Sequence, residues 1–371
     1  MPGSDLFARA EFNMQVCNAC RYCEGFCAVF PAMERRLTFA KADLRYLANL
    51  CHGCGACYYA CQYAPPHEFD VNIPRNFAQV RAETYQRYAW PGFLASLFER
   101  NGVVVSLATA AALAVFLLAT FYYQAPAVVF AAHPGGDFYK VIPHGVMGWT
   151  FGLVGLYLLL ALVIGFVRFW RETGEPIHEF VVPAALGHGI LDALHLKNLR
   201  GGGDGCPYPD ERPSHKRRVF HHFTFYGFLF CFAATCVGTL YHYVFGWKAP
   251  YELMSFPVVL GTIGGIGLIV GPLGLLWLKG KRDPETDEPT QFGMDAGFLW
   301  LLFLTSLSGL ALLALRETAA MGTLLAVHLG VVLGLFLTLP YGKFVHAVYR
   351  VAALVRAALE RSRPMPEVTF E

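Results

Sequence analysis

Apolar and polar positions divide the chain into two unlike parts. Through residue 100 the apolar residues are scattered and interrupted by charge. From Val103 onward they gather into runs near 103–122, 144–167, 221–245, 255–278, 297–315 and 321–348. A helix rises about 1.5 Å per residue and the hydrocarbon core of a bilayer is about 30 Å thick, so each run is long enough to cross it. The pattern predicts an all-α protein. An N-terminal helical domain over 1–100 precedes a six-helix transmembrane bundle over 101–350 with a loop at 168–218, and a basic tail runs over 351–371. Within the first domain, residues 33–50 space their apolar positions three and four apart, which predicts an amphipathic helix. Residues 67–100 continue as polar helical sequence. The stretch 179–199 is apolar but broken by Pro183, Gly187 and Gly189, and reads as an interfacial or re-entrant helix.

Composition sharpens this division. Of 371 residues, 55% are hydrophobic and 15% charged, against about 25% charged in an ordinary soluble domain. The net charge of +2 gives no ground for a nucleic-acid partner; the bilayer is the expected surroundings. Basic residues follow the positive-inside pattern. With the N-terminus cytoplasmic, the inner connections hold Arg168, Arg171, Lys197, Arg200, Arg212, Lys216, Arg217 and Arg218, then Lys279, Lys281 and Arg282, and the tail Arg350, Arg356, Arg361 and Arg363. The outer connections hold Lys140, Lys248 and Arg316 alone. Six spans with both termini cytoplasmic follow. The first residues, with Asp5, Glu11 and no apolar core, do not read as a signal peptide. The expected location is therefore a bacterial inner membrane, with the first domain in the cytoplasm.

Eight of the eleven cysteines crowd into two arrays, Cys17-Asn-Ala-Cys20-Arg-Tyr-Cys23-Glu-Gly-Phe-Cys27 and Cys51-His-Gly-Cys54-Gly-Ala-Cys57-Tyr-Tyr-Ala-Cys61. In a reducing compartment such crowding points to metal rather than disulfides. Three cysteines at two-residue gaps wrap three irons of one [4Fe–4S] cubane, and the fourth of each array commonly serves the other cluster. The assignment is Cys17, Cys20, Cys23 and Cys61 to one cluster, and Cys51, Cys54, Cys57 and Cys27 to the other. Zinc is the competing ligand of CxxC pairs, but it has no use for a third cysteine at the same short gap, twice. No hydrolytic triad, paired catalytic carboxylates or nucleotide fingerprint occurs, so no catalytic residue is assigned.

Ionisable residues inside spans are costly and mark function by default. The third span begins with His221 and His222 and ends at His242; the sixth holds His328 and His346. On straight helices His328 and His346 share a face about 27 Å apart, and His221 and His242 lie within about 60° of one face. The two helices are antiparallel, which would set His221 level with His346 and His242 level with His328. That is the arrangement of one or two non-covalent b-type haems with axial imidazoles. Each histidine alone also fits an interfacial position at a helix end. His222 and His144 are the reserve ligands at the inner and outer ends. His188 and His195 read as interfacial or as neighbours of a quinone headgroup. The glycine- and proline-rich loop 201–213 reads as a compact loop or a docking surface near the inner haem.

The domain order, the loop Asn198-Leu-Arg-Gly-Gly-Gly-Asp-Gly-Cys-Pro-Tyr-Pro-Asp-Glu-Arg-Pro213 and the following His221-His-Phe-Thr-Phe-Tyr-Gly227 resemble the tricarballylate and citrate utilisation protein B family over nearly the whole chain. The first domain is similar to the α-helical ferredoxins of fumarate reductase iron–sulfur subunits. The membrane half is similar to the γ subunit of respiratory nitrate reductase, a dihaem cytochrome. His328 and His346 match its later ligand pair; His221 and His242 stand further apart than its earlier pair. The resemblance implies that a partner FAD-dependent dehydrogenase oxidises tricarballylate to cis-aconitate, and that this chain reoxidises the flavin and passes electrons to quinone. A membrane-bound redox sensor would draw on the same clusters without turnover.

Overall fold

The computed structural model describes residues 3–365, with side chains from Leu6 onward; residues 366–371 of the expected tail lie outside the described residues. Helices α1 (Gly3–Cys20), α2 (Val29–Met33), α3 (Lys41–Leu50), α4 (Ala56–Tyr59) and α5 (Ile73–Tyr88) build the N-terminal domain. The bundle follows: α6 (Asn101–Tyr123), a short α7 (Pro126–Val129), α8 (His144–Glu172), the short α9 (Pro183–Leu194), α10 (Lys216–Tyr243), α11 (Phe256–Lys279), α12 (Phe292–Ala314) and α13 (Met321–Thr338). A last helix, α14, spans Val345–Ser362. The exception to an all-α fold among the described residues is a two-residue pair, β1 (Cys206–Pro207) and β2 (Pro213–Ser214).

Among the described residues, six helices are long and apolar enough to cross a membrane, the multi-pass pattern expected from the hydropathy. The tightest contact lies between α10 and α11. A Cβ on Gly271 would sit 2.5 Å from the Thr224 backbone nitrogen, and one on Gly227 would sit 2.9 Å from the Gly264 carbonyl. Small residues there let two backbones touch, which is how helices associate where lipid removes the hydrophobic driving force.

Three expectations need correction. The sixth apolar run is not one helix. Pro340 lacks an N–H donor and clashes with the preceding turn. The chain accordingly leaves α13 at Thr338, tightens into a 3-10 turn over Leu339–Tyr341 and passes through extended Gly342 before α14 begins. The straight-helix geometry that put His328 and His346 on one face therefore does not hold. Nor is the segment from 351 a basic tail. Through Ser362 it belongs to α14, whose Ala352, Ala353, Leu354, Val355, Ala357, Ala358 and Leu359 are buried. The expected helix 33–50 is likewise shorter, because residues 34–40 turn between α2 and α3.

Helix α14 packs on α9 and α3 and so wedges the N-terminal domain onto the bundle. Its buried Glu360 accepts from Arg36 at 2.6 Å and from the Tyr46 hydroxyl at 3.0 Å, with Arg356 at 3.2 Å. Arg36 also pairs with Asp43 at 2.6 Å. Both guanidiniums stack on the Tyr46 ring, at 4.9 and 4.3 Å. On the far side of α3, Arg45 bridges Glu83 on α5 at 2.7 Å and Glu172 at the end of α8 at 2.6 Å. Removing one partner of a buried ion pair leaves the other charge uncompensated, at about 3–5 kcal/mol. Glu360→Ala is expected to lower stability by that order, read as earlier thermal unfolding of the detergent-purified chain. Unchanged unfolding would show that the network does not hold the domain in place.

Candidate functional site

The first array sits where α1 ends. Cys17 and Cys20 occupy its last turn, and Arg21, in the left-handed region, reverses the chain with its N–H on the Cys17 carbonyl at 2.8 Å. Cys17, Cys20, Cys23 and Cys61 line one cavity of about 150 Å³, together with Cys57. The other lining side chains are apolar, aromatic or uncharged. Burial, then the neighbouring Cys61 thiol, pushes Cys17 and Cys23 up to about 12. Iron binding there must displace protons.

The second array follows α3. Cys51 caps that helix, Gly53 and Gly55 take positive φ, and Cys57 lies on α4. A tighter cavity of about 10 Å³ is lined by Cys27, Cys51, Cys54 and Cys57. The fourth cysteine of the first array thus stands with the first three of the second, and Cys61 stands with the first three of the first. The loop carrying β1 closes over this site. A Cβ on Gly55 would meet the Pro207 carbonyl at 2.6 Å, and Cys206 is buried beside Cys54. Cys206, with the Ala56 N–H and Arg217, holds Cys54 down to about 6 against burial.

Three arginines converge on the second array from different elements. Arg81 of α5 donates to the carbonyls of Ala48 (3.0 Å) and Cys51 (3.1 Å). Arg217 of α10 donates to Gly53 (2.8 Å) and His52 (2.9 Å). Arg350 of α14 donates to Asn49 (3.2 Å) and Cys51 (2.8 Å). Among the described residues, none of these three pairs with a carboxylate. Asn198 also lines this cavity; its Oδ1 accepts from Ala28 N–H at 3.3 Å, and its buried Nδ2 has no partner. Buried donors and cations are costly unless matched. Thiols in a ring, an unmatched N–H donor and uncompensated guanidiniums fit an anionic, sulfur-rich group such as a cysteine-bound cluster. Among the described residues no three His, Cys, Asp or Glu side chains converge as a single-ion site requires.

His221 and His346 lie one helical turn further on. His221 follows Arg217 by four residues on α10, and His346 precedes Arg350 by four on α14, so each pair shares a helix face. The two ring centres stand 6.3 Å apart, with the rings nearly perpendicular. The Nδ1–H of His346 donates to the Lys343 carbonyl, fixing the tautomer that leaves Nε2 available. His222 instead lies beside Tyr226, with ring centres 5.7 Å apart. At the far end His242 stacks on His144, ring centres 3.8 Å apart. His328 is held away from that pair by Ser308, whose Oγ lies 3.0 Å from its Nδ1, and its ring packs against Gly309 of α12. The structure thus brings His221 to His346 and His242 to His144, and seats His328 separately. His188 and His195 are exposed on and just beyond α9.

Arg81, Arg217, Arg350, Asn198 and Cys206 were not singled out in the sequence. For Asn198 and Cys206 a signal existed, the distinctive loop that contains both. For the arginines the charge pattern hid the role, since two of them counted towards the positive inner connections.

The citrate utilization protein B family matches residues 97–367, and its Fer4-like domain matches residues 10–87. The citrate utilization protein B of Escherichia coli is 55% identical over 359 residues, covering 96% of this chain and 93% of that protein. No solved structure matches the chain. With both of its parts matched in order and a relative this similar over almost its full length, the chain belongs to the citrate utilization protein B family.

Proposed function

We propose that the chain is a membrane electron-transfer protein that reoxidises a partner FAD-dependent dehydrogenase, one acting on tricarballylate, and delivers the electrons to the quinone pool. The observation that carries this reading is the continuity of redox-competent side chains. Two cysteine-lined cavities adjoin through Cys57, and the second is joined by Arg217 and Arg350 to the helices bearing His221 and His346. Cys17, Cys20, Cys23 and Cys61 would hold one [4Fe–4S] cluster; Cys27, Cys51, Cys54 and Cys57 would hold the other. Such clusters supply one-electron storage, which matches a flavin that gives up two electrons and two protons to a quinone that takes up two of each. His221 and His346 would be the axial ligands of an inner b-type haem. His242, with His144 or His328, would serve an outer one. The cysteine domain would face the cytoplasm across a bacterial inner membrane, where a soluble flavoprotein can reach it.

The test is reconstitution of the full chain in vesicles with the reduced tricarballylate dehydrogenase and a soluble quinone. Quinol formation is expected to depend on this chain and to be lost in Cys51→Ala. A flavoprotein that leaves the chain unreduced, or quinol formation that persists without the chain, would overturn the reading. Reduction without any turnover would favour a sensor.

A further inference from the structure

We infer that the membrane half of the chain, acting through Asn198, Arg217 and Arg350, holds the second cluster at a higher reduction potential than the first. This rests on the reading of the two arrays as cluster sites. Reduction adds a negative charge, so a fixed cation nearby favours the reduced form. A hydrogen bond donated to a cluster sulfur acts in the same direction.

The two cavities differ in just these respects. The lining of the first contains no charged side chain; its polar members besides cysteine are Tyr22, Gln62 and Tyr63. The second has Arg81, Arg217 and Arg350 hydrogen-bonded to backbone carbonyls from Ala48 to Gly53, and arginine stays protonated in proteins. It also has the unmatched Asn198 Nδ2 among its lining residues. Water near the more open first site favours its reduced form too. That effect comes from screened dipoles, whereas the second site faces three full charges in surroundings where charges interact more strongly.

The source of these groups gives the difference its meaning. Asn198 precedes β1, Arg217 lies on α10 and Arg350 on α14, and the last two share helix faces with His221 and His346. The contacts that raise the second site are therefore the contacts that seat it on the bundle. Electrons entering the domain settle beside the membrane histidines rather than at the outer face of the domain, and the direction of flow is set by docking.

An EPR-monitored potentiometric titration of the detergent-purified full chain tests this, with iron and acid-labile sulfide assayed on every sample. The wild type is expected to show two separate midpoints. Asn198→Ala and Arg350→Gln are each expected to lower the higher midpoint by at least tenfold in the one-electron equilibrium, about 59 mV, and to leave the lower in place. Arg350→Lys, which keeps the charge, is expected to restore most of the shift. Coincident midpoints in the wild type overturn the inference. So does a variant with full cluster content in which the lower midpoint moves, or in which neither moves. If Arg350→Gln fails to retain both clusters, Asn198→Ala and the wild-type separation decide. A wild-type chain without sulfide is a different failure, that of the cluster reading itself.

Discussion

Cys27→Ala and Cys51→Ala are expected to lose the same cluster, and Cys61→Ala and Cys17→Ala the other. Each variant is expected to keep about four of about eight iron atoms and to stop flavoprotein-dependent quinone reduction. The result is not obvious from sequence order, because Cys27 belongs to the first array and Cys61 to the second. It follows from where the chain places them: Cys27 lines the cavity of Cys51, Cys54 and Cys57, and Cys61 lines that of Cys17, Cys20 and Cys23. EPR spectra of the four variants decide the pairing, since two variants missing one cluster share the signal that remains. A Cys27→Ala spectrum identical to that of Cys17→Ala would contradict it. Cys231 and Cys236, on α10, serve as controls whose alanine variants are expected to keep both clusters.

The second large effect concerns haem. His221→Ala and His346→Ala are expected to remove the same haem, read as loss of one component from the reduced optical spectrum, while His222→Ala retains it. The ring centres of His221 and His346 lie 6.3 Å apart, and His222 lies against Tyr226. At the far end, His242→Ala is expected to remove the outer haem, and comparison of His144→Ala with His328→Ala identifies its partner. Unchanged haem content in both His221→Ala and His346→Ala would dispose of the inner site.

The outline of this arrangement was legible in the sequence because its signals are local. The apolar runs gave six spans, and the cysteine gaps place three sulfurs on a single turn and loop. What failed was inference across a break. Leu339-Pro340-Tyr341-Gly342 lies inside a continuous apolar run, and hydropathy averages over the residues that end the helix. Treating the run as straight then put His328 and His346 on one face, whereas His346 belongs to a separate helix turned against the N-terminal domain. The same step mistook α14 for a tail. Its Arg350 and Arg356 look like solvated charges, yet one holds the Cys51 carbonyl and the other lies between Tyr46 and Glu360. Asn198 and Cys206 sit far along the chain from the arrays they adjoin, and no periodicity reports such contacts. The loop is distinctive in sequence, but the surface it packs on is set only in three dimensions.

Histidines at helix ends show the limit from the other side. Helical geometry placed His221 at the depth of His346, and the two do meet. It also placed His242 at the depth of His328, yet His242 meets His144, because depth fixes only one of the three coordinates and packing between helices fixes the others.

The central claim is that eight cysteines hold two iron–sulfur cubanes on the face of the bundle next to His221 and His346. Iron and acid-labile sulfide measured on the full chain, purified and kept without oxygen, test it most directly. About eight of each per chain is expected; a folded chain with zinc or no metal and no sulfide would contradict it.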